Sequence, residues 1–154
     1  HVLTAQFNNK HCYLTIPNIH PQQMNVLGYE HMFVDMQSGI YLLKLTYLPQ
    51  LADTLWLQSQ IQRLNQHDIH GFCAFYWDRN LNQGQLRYFV PWHGRDEDYV
   101  TGSIQQYLTP LVHQLYGVKT QHWQQVSSSS GSLITEYTPA HVRISGQCHV
   151  IENK

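Results

Sequence analysis

Histidine is the residue type with the most chemical potential in this sequence, and it is unusually frequent. There are 11 histidines among 154 residues. A neutral imidazole can ligate a metal ion, and its ordinary pKa of about 6.5 lets it change charge where compartments acidify. Three interpretations follow: neutral polar surface residues, a set of proton sensors, or metal ligands.

Two arrangements of these histidines could bind a metal. His67 and His70 are three residues apart at the end of a predicted helix, with Asp68 between them, so their rings could share a face. His1, if it is the mature terminus, would offer its amine and its ring, which with a second histidine makes a T-shaped copper site. A copper- or zinc-dependent enzyme or metal carrier is therefore our alternative hypothesis, whereas the preferred hypothesis below needs no cofactor.

Three cysteines allow thiol chemistry or one disulfide. Cys12 and Cys148 each lie in a strand-like segment near one end of the chain, so they would pair in an oxidising compartment. Free thiols are the alternative. Cys73 could act as a nucleophile beside His93 or His70, but its neighbours are apolar and aromatic, which predicts a small buried hydrophobic residue.

Composition and motifs narrow the classes of function. Charged residues make up 12% of the chain, about half the usual share, and the net charge is −1 without a basic stripe, which argues against nucleic-acid binding. No apolar stretch reaches the roughly 18 residues that span a bilayer. The sequence contains no Walker loop and no GxGxxG, GxSxG, HExxH, CxxC or EF-hand pattern, which weakens the enzyme hypothesis.

Aromatic residues are concentrated on one predicted hairpin, which gives the candidate binding residues. Tyrosine and tryptophan combine apolar area with a hydrogen-bonding tip, as suits a protein interface or an amphipathic ligand. Alternation along a strand sends half of such residues outward, and the other half form core. The candidates for contact with a partner protein or a small apolar ligand are Tyr76, Trp77, Tyr88 and Trp92.

Hydrophobic periodicity predicts two helices. One begins at Pro49 and runs to about Asn65, and its apolar face covers about half of its circumference with Leu51, Leu55, Leu57, Ile61 and Leu64. The other spans about Asp98 to Tyr116, begins in the acidic residues 96–98, and should kink near Gln106 because of Pro110. Its apolar face follows helical spacing at Val100, Ile104, Tyr107, Leu108, Leu111, Val112 and Leu115.

Alternating or short apolar runs predict strands around these helices. Three hairpins are expected at residues 2–16, 29–48 and 69–92, and further strands at 120–126, 133–137 and 141–151. Residues 17–27 are predicted to be a loop, and Ser127–Ser132 a flexible internal loop. We therefore predict a single α+β domain over residues 1–154, with a mainly antiparallel sheet built from hairpins and two main helices packed on it.

These features lead to one preferred functional hypothesis. We expect a non-catalytic binding or accessory domain of a membrane-associated assembly, with a sensory accessory subunit of a membrane-bound regulator as one form. Such a subunit would give the histidines a pH-sensitive role. The chain starts with His1 rather than Met, which an export signal, a trimmed anchor or a cut tag would explain. A periplasmic or extracellular location, with any membrane tether outside this chain, is the expectation.

Overall fold

The computed structural model describes residues 4–8, 11–26, 28–64, 68–93, 95–98, 102–127 and 131–147. Within them the chain forms strands, two α-helices, and two short 3₁₀ helices at Leu48–Ala52 and Pro91–His93. The elements are β1 (Thr4–Asn8), β2 (His11–Pro17), β3 (Gln22–Val26), β4 (Tyr29–Asp35), β5 (Ile40–Lys44), α1 (Thr54–Leu64), β6 (Gly71–Asp78), β7 (Gln83–Val90), β8 (Arg95–Asp98), α2 (Gln105–Tyr116), β9 (Thr120–Gln125), β10 (Gly131–Tyr137) and β11 (His141–Gln147).

The strands belong to one mixed sheet. Its order is β1-β2-β11-β10-β9-β7-β6-β5-β4-β3, and β8 pairs separately with β7. Two neighbouring pairs are parallel, β5 with β6 and β7 with β9. Each parallel pair is connected through a helix, since α1 lies between β5 and β6, and α2 between β7 and β9. The predicted sheet of antiparallel hairpins was therefore wrong, although the three expected hairpins are antiparallel pairs within it.

Helix α2 lies at the centre of the fold. Its side chains Leu108 and Leu111 are 0% and 1% exposed, and they belong to one apolar cluster with residues of β4, β5, β6, β7 and β9. The opposite side of the helix contacts β10 and β11. Consequently α2 is buried around most of its circumference, and seven of its residues are buried: Gln105, Tyr107, Leu108, Thr109, Pro110, Leu111 and Val112.

Helix α1 covers the other face of the middle strands. Along β5, Leu42 faces the cluster around α2, whereas Tyr41 and Leu43 face a second cluster that includes Leu57 and Leu64 of α1. Because both faces of β5 are covered, four of its five residues are buried. The parallel pair β5 and β6 is thus enclosed between the two helices.

The helix boundaries differ from those predicted. Residues 95–98 form strand β8, and α2 begins only at Gln105, so the acidic run is not a helix start. The first predicted helix is divided at Asp53, whose Oδ1 accepts the Trp56 N–H at 3.0 Å. Two predicted core leucines lie outside: Leu55 is 80% exposed and Leu115 is 38% exposed.

Pro110 lies within an unbroken helix α2 because another residue supplies the hydrogen bond that it cannot make. A proline has no N–H to donate to the carbonyl four residues earlier. That carbonyl, of Gln106, accepts the backbone N–H of Ile19 at 2.9 Å instead. Gly117 ends the helix in the left-handed conformation, with φ of 72°.

Two predicted loops are also partly strand. Gln22–Val26 forms the edge strand β3, whose first four residues are exposed, so its polar sequence carries no alternation to reveal it. Gly131 and Ser132, predicted within the serine-rich loop, begin β10 and pair with Gln125 and Gln124. The serines at 128–130 lie outside the described residues.

Candidate functional site

The four predicted binding aromatics do not form one surface. Trp77 and Tyr88 are 5% and 9% exposed and belong to the cluster around α2. Trp92 packs partly buried against the cluster beside α1, on the other face of the sheet. Tyr76 is half-buried and lines a groove of 350 Å³, which His122 of β9 also lines. A binding role for these residues stays a prediction.

The metal and thiol predictions are only partly covered by the structure. His1, His67, Cys148 and the side chain of Cys12 lie outside the described residues. Among the side chains that are described, no three histidine, cysteine, aspartate or glutamate residues group as metal ligands. Cys73 is fully buried, and burial raises the pKa of its thiol well above the ordinary range, which confirms the buried-core prediction.

The described histidines lie at the surface rather than in the core. Burial is one way in which a fold can keep imidazoles neutral and so make its stability depend on their protonation. Of the histidine side chains that the structure describes, none is buried. They are His20, His31, His70 and His122, which are exposed, and His113 and His141, which are intermediate.

The polar site that the fold builds is the amino end of α2. Strand β8 leads toward it and is fixed by an ion pair in which Arg87 Nε and Nη2 donate to the two carboxylate oxygens of Glu97 at 2.8 and 2.9 Å. Arg87 also donates to the carbonyl of Leu51 and to the hydroxyl of Thr54. The guanidinium therefore ties β8 to the segment that begins α1.

Gln105, in the first turn of α2, is a fully buried side chain with an unpaired donor. Its Oε1 accepts from the Thr109 hydroxyl at 2.9 Å, and that hydroxyl lies 2.8 Å from the hydroxyl of Thr135 on β10. Its Nε2 has no hydrogen-bond partner among the described residues. A buried amide N–H without an acceptor costs free energy, so such an atom invites a functional explanation.

A hydrogen-bonded chain fixes this end of α2 to the turn between β4 and β5. The Tyr107 hydroxyl donates to Ser38 Oγ at 3.0 Å, and Ser38 Oγ donates to Asp35 Oδ2. Burial raises the pKa of Tyr107, and the charge of Asp35 adds to this, against the opposing effect of the bond to Ser38. Tyr107 is thus held as a neutral donor that orients the helix.

Sequence reasoning missed this end of α2 because it has no local signature. Glu97 lies in an acidic run that is typical of a helix start, and Gln105 is one polar residue in a largely apolar helix. One signal was available: helical spacing places Gln105 next to Ile104 and Leu108, on a helix whose other positions predict burial.

Comparisons with known proteins identify the fold. No family model and no curated protein matches the sequence. Solved structures do match, among them a phenazine biosynthesis PhzC/PhzF protein from Clostridium difficile strain 630 and a PhzF-family phenazine biosynthesis protein from Enterococcus faecalis, at 21% and 20% identity. Each gives a TM-score of 0.76 over 94% of this chain. The chain spans 57% of the length of either protein.

This likeness overturns the preferred functional hypothesis. The fold is that of phenazine biosynthesis proteins, so the prediction of an accessory or sensory subunit of a membrane-bound regulator was wrong. In the described residues, neither helix has the length and apolarity needed to cross a membrane.

Proposed function

We propose that this chain is one part of a small-molecule biosynthetic enzyme of the PhzC/PhzF kind. The observation that carries the proposal is the agreement of fold, at a TM-score of 0.76 over 94% of the chain, with two proteins named for phenazine biosynthesis. Since the chain spans 57% of each, protein outside these 154 residues would complete the catalytic site.

The amino end of α2 is the part of that site which this chain supplies. The backbone N–H groups of Gln105, Gln106 and Tyr107 donate to the carbonyls of Gly102, Ser103 and Ile104 in a tight turn, and the helix macrodipole makes this end of α2 positive. The unpaired Gln105 Nε2 adds a buried side-chain donor to the same turn, and Ser103 beside it is exposed. Donors in this arrangement favour a ligand with a carboxylate group.

A residue-resolved titration tests this proposal. Benzoate, a simple organic carboxylate, is added to the ¹⁵N-labelled chain, and benzamide, a neutral molecule of similar shape, serves as the control. We expect benzoate to shift the amide resonances of residues 102–105 saturably, and benzamide to leave them in place. Equal shifts with benzamide, or benzoate shifts that avoid this turn, would contradict the proposal.

A further inference from the structure

A second cavity lies at the opposite end of α2. Its volume is about 600 Å³, within the range of small-molecule sites, and it opens where the parallel strands β5 and β6 end. Ligands of open sheets with helices on their faces commonly bind beyond the carboxyl ends of parallel strands. The cavity lies where three elements end: Lys44 is the last residue of β5, Arg79 directly follows β6, and Tyr116 is the last residue of α2.

Two cations converge on one aromatic ring in this cavity. Lys44 Nζ lies 5.4 Å from the centroid of the Tyr116 ring, and Arg79 Cζ lies 5.2 Å from it. Neither cation forms an ion pair with a residue that the structure describes. Two like charges near one ring repel each other, and an anion between them would replace that repulsion with attraction.

One oxygen of the single carboxylate in the lining is engaged in a turn. Asp78 Oδ1 accepts the backbone N–H groups of Asn80 and Leu81 at 2.9 and 3.1 Å, which closes the turn after β6. These two bonds stabilise the turn. The side chain of Arg79, the next residue, is exposed. The exposed guanidinium can donate two parallel hydrogen bonds to one carboxylate or phosphate. It is therefore the lining group best suited to bind such an anion.

The apolar side of the cavity is a stacked pair of rings. Trp77 and Tyr116 lie 6.4 Å apart with only 13° between their planes. The indole Nε1 of Trp77 is buried and has no hydrogen-bond acceptor among the described residues. The cavity therefore combines cations and aromatic faces with a buried donor that lacks an acceptor.

We propose that this cavity binds an organic oxyanion, with its carboxylate or phosphate on Arg79 and Lys44 and its apolar body against Trp77 and Tyr116. The volume exceeds what an inorganic ion fills, so the aromatic walls favour an organic body. The site is separate from the amino end of α2, because a helix of 12 residues is about 18 Å long.

The test titrates the ¹⁵N-labelled chain with phenyl phosphate, benzoate and inorganic phosphate. Four tryptophans give four indole N–H resonances, and the one from Trp77 reports on the cavity directly. We expect saturable shifts of this resonance and of the Asn80 amide with at least one organic anion, and weaker binding of inorganic phosphate. The stronger of the two organic anions identifies the headgroup. Failure of both to shift these resonances, or equal affinity for inorganic phosphate, would overturn the proposal.

Charge-removing variants separate this site from general anion binding. Arg79→Gln and Lys44→Gln should each weaken the organic anion about tenfold, since a hydrogen bond to a charged group is lost. Arg143→Gln is the matched control, because Arg143 also lies over a tyrosine ring, 4.4 Å from the centroid of Tyr13, but outside the cavity. Unchanged affinity in both cavity variants, or an equal loss in the control, would contradict the assignment.

Discussion

Glu97 holds Arg87 through two hydrogen bonds, of 2.8 and 2.9 Å, although their side chains are only 16% and 9% exposed. The pair joins β8, which leads toward α2, to β7 in the middle of the sheet. Through Leu51 and Thr54 the same guanidinium reaches the start of α1. One charged contact therefore fixes β8 both to β7 and to the start of α1.

Removing one partner of this pair should lower the free energy of unfolding more than removing both. We expect Glu97→Ala to lower the free energy of unfolding by about 3–5 kcal/mol, because Arg87 would stay buried without its counter-charge. Arg87→Met together with Glu97→Leu should cost less, since no charge remains to be buried. Urea denaturation of these two variants and the wild type measures this, and a double variant less stable than Glu97→Ala would refute it.

Gly84 must lack a side chain because two tryptophans meet above it. Its neighbours across the sheet are Trp77 and Trp123, whose ring centroids lie 5.3 Å apart. A Cβ on Gly84 would come within 2.4 Å of the Trp123 ring. Gly84→Ala should therefore cost about 1–3 kcal/mol in thermal unfolding. Gly102→Ala, whose nearest contact is 3.9 Å away, is the control and should be milder.

The burial of α2 predicts a contrast between leucines on one helix. Leu108→Ala and Leu111→Ala should each cost about 2–5 kcal/mol, because both side chains are enclosed. Leu115→Ala should cost well under half as much, since that side chain is 38% exposed. Chemical denaturation at matched protein concentration gives all three values. Similar losses at the three positions would mean that α2 is not enclosed as described.

Cys73 should make the protein less stable in alkali. Burial raises the pKa of its thiol above the ordinary value of 9.0, so the native state keeps a proton that the unfolded state releases. The unfolded state then binds fewer protons, and stability falls as pH rises above about 9. Melting temperatures from pH 7 to 10 should fall less in Cys73→Ala than in the wild type. An identical fall in both would exclude this thiol as a cause.

Thiol labelling checks the same burial by another route. At pH 8 Cys73 should react only at the rate at which the protein opens, whereas an exposed thiol reacts at once. Rapid labelling of Cys73 in the native protein would revive the nucleophile hypothesis.

Local patterns of apolar residues predict the hairpins and the buried face of α2. They do not predict which strands pair when the two strands are far apart in the sequence. The strands β5 and β6 were assigned to separate hairpins, although a helix between two apolar strands is the connection that parallel pairing needs. The edge strand β3 exposes most of its residues, so no alternation marks it. The acidic residues 96–98 resemble a helix start, whereas their backbone pairs with β7 and they form part of a strand.

The site was harder to predict than the fold because its key atoms are defined by what surrounds them. Gln105 is notable only because β10 and the rest of α2 bury it and leave its Nε2 without an acceptor in the described residues. Helical spacing indicates that Gln105 is buried, but nothing in the sequence reveals that its Nε2 lacks an acceptor.

The most direct test of the proposed ligand site is the melting temperature of Gln105→Met and its benzoate affinity, read from the amide resonances of residues 102–105. This change removes the unpaired N–H together with one hydrogen bond, so stability should change little while benzoate binding weakens at least about tenfold. Gln60→Met is the matched control, because the Nε2 of this buried glutamine already donates to the Trp56 carbonyl at 3.2 Å. That control should lose stability and keep its affinity. Wild-type affinity in Gln105→Met would contradict the assignment of a ligand site to the amino end of α2.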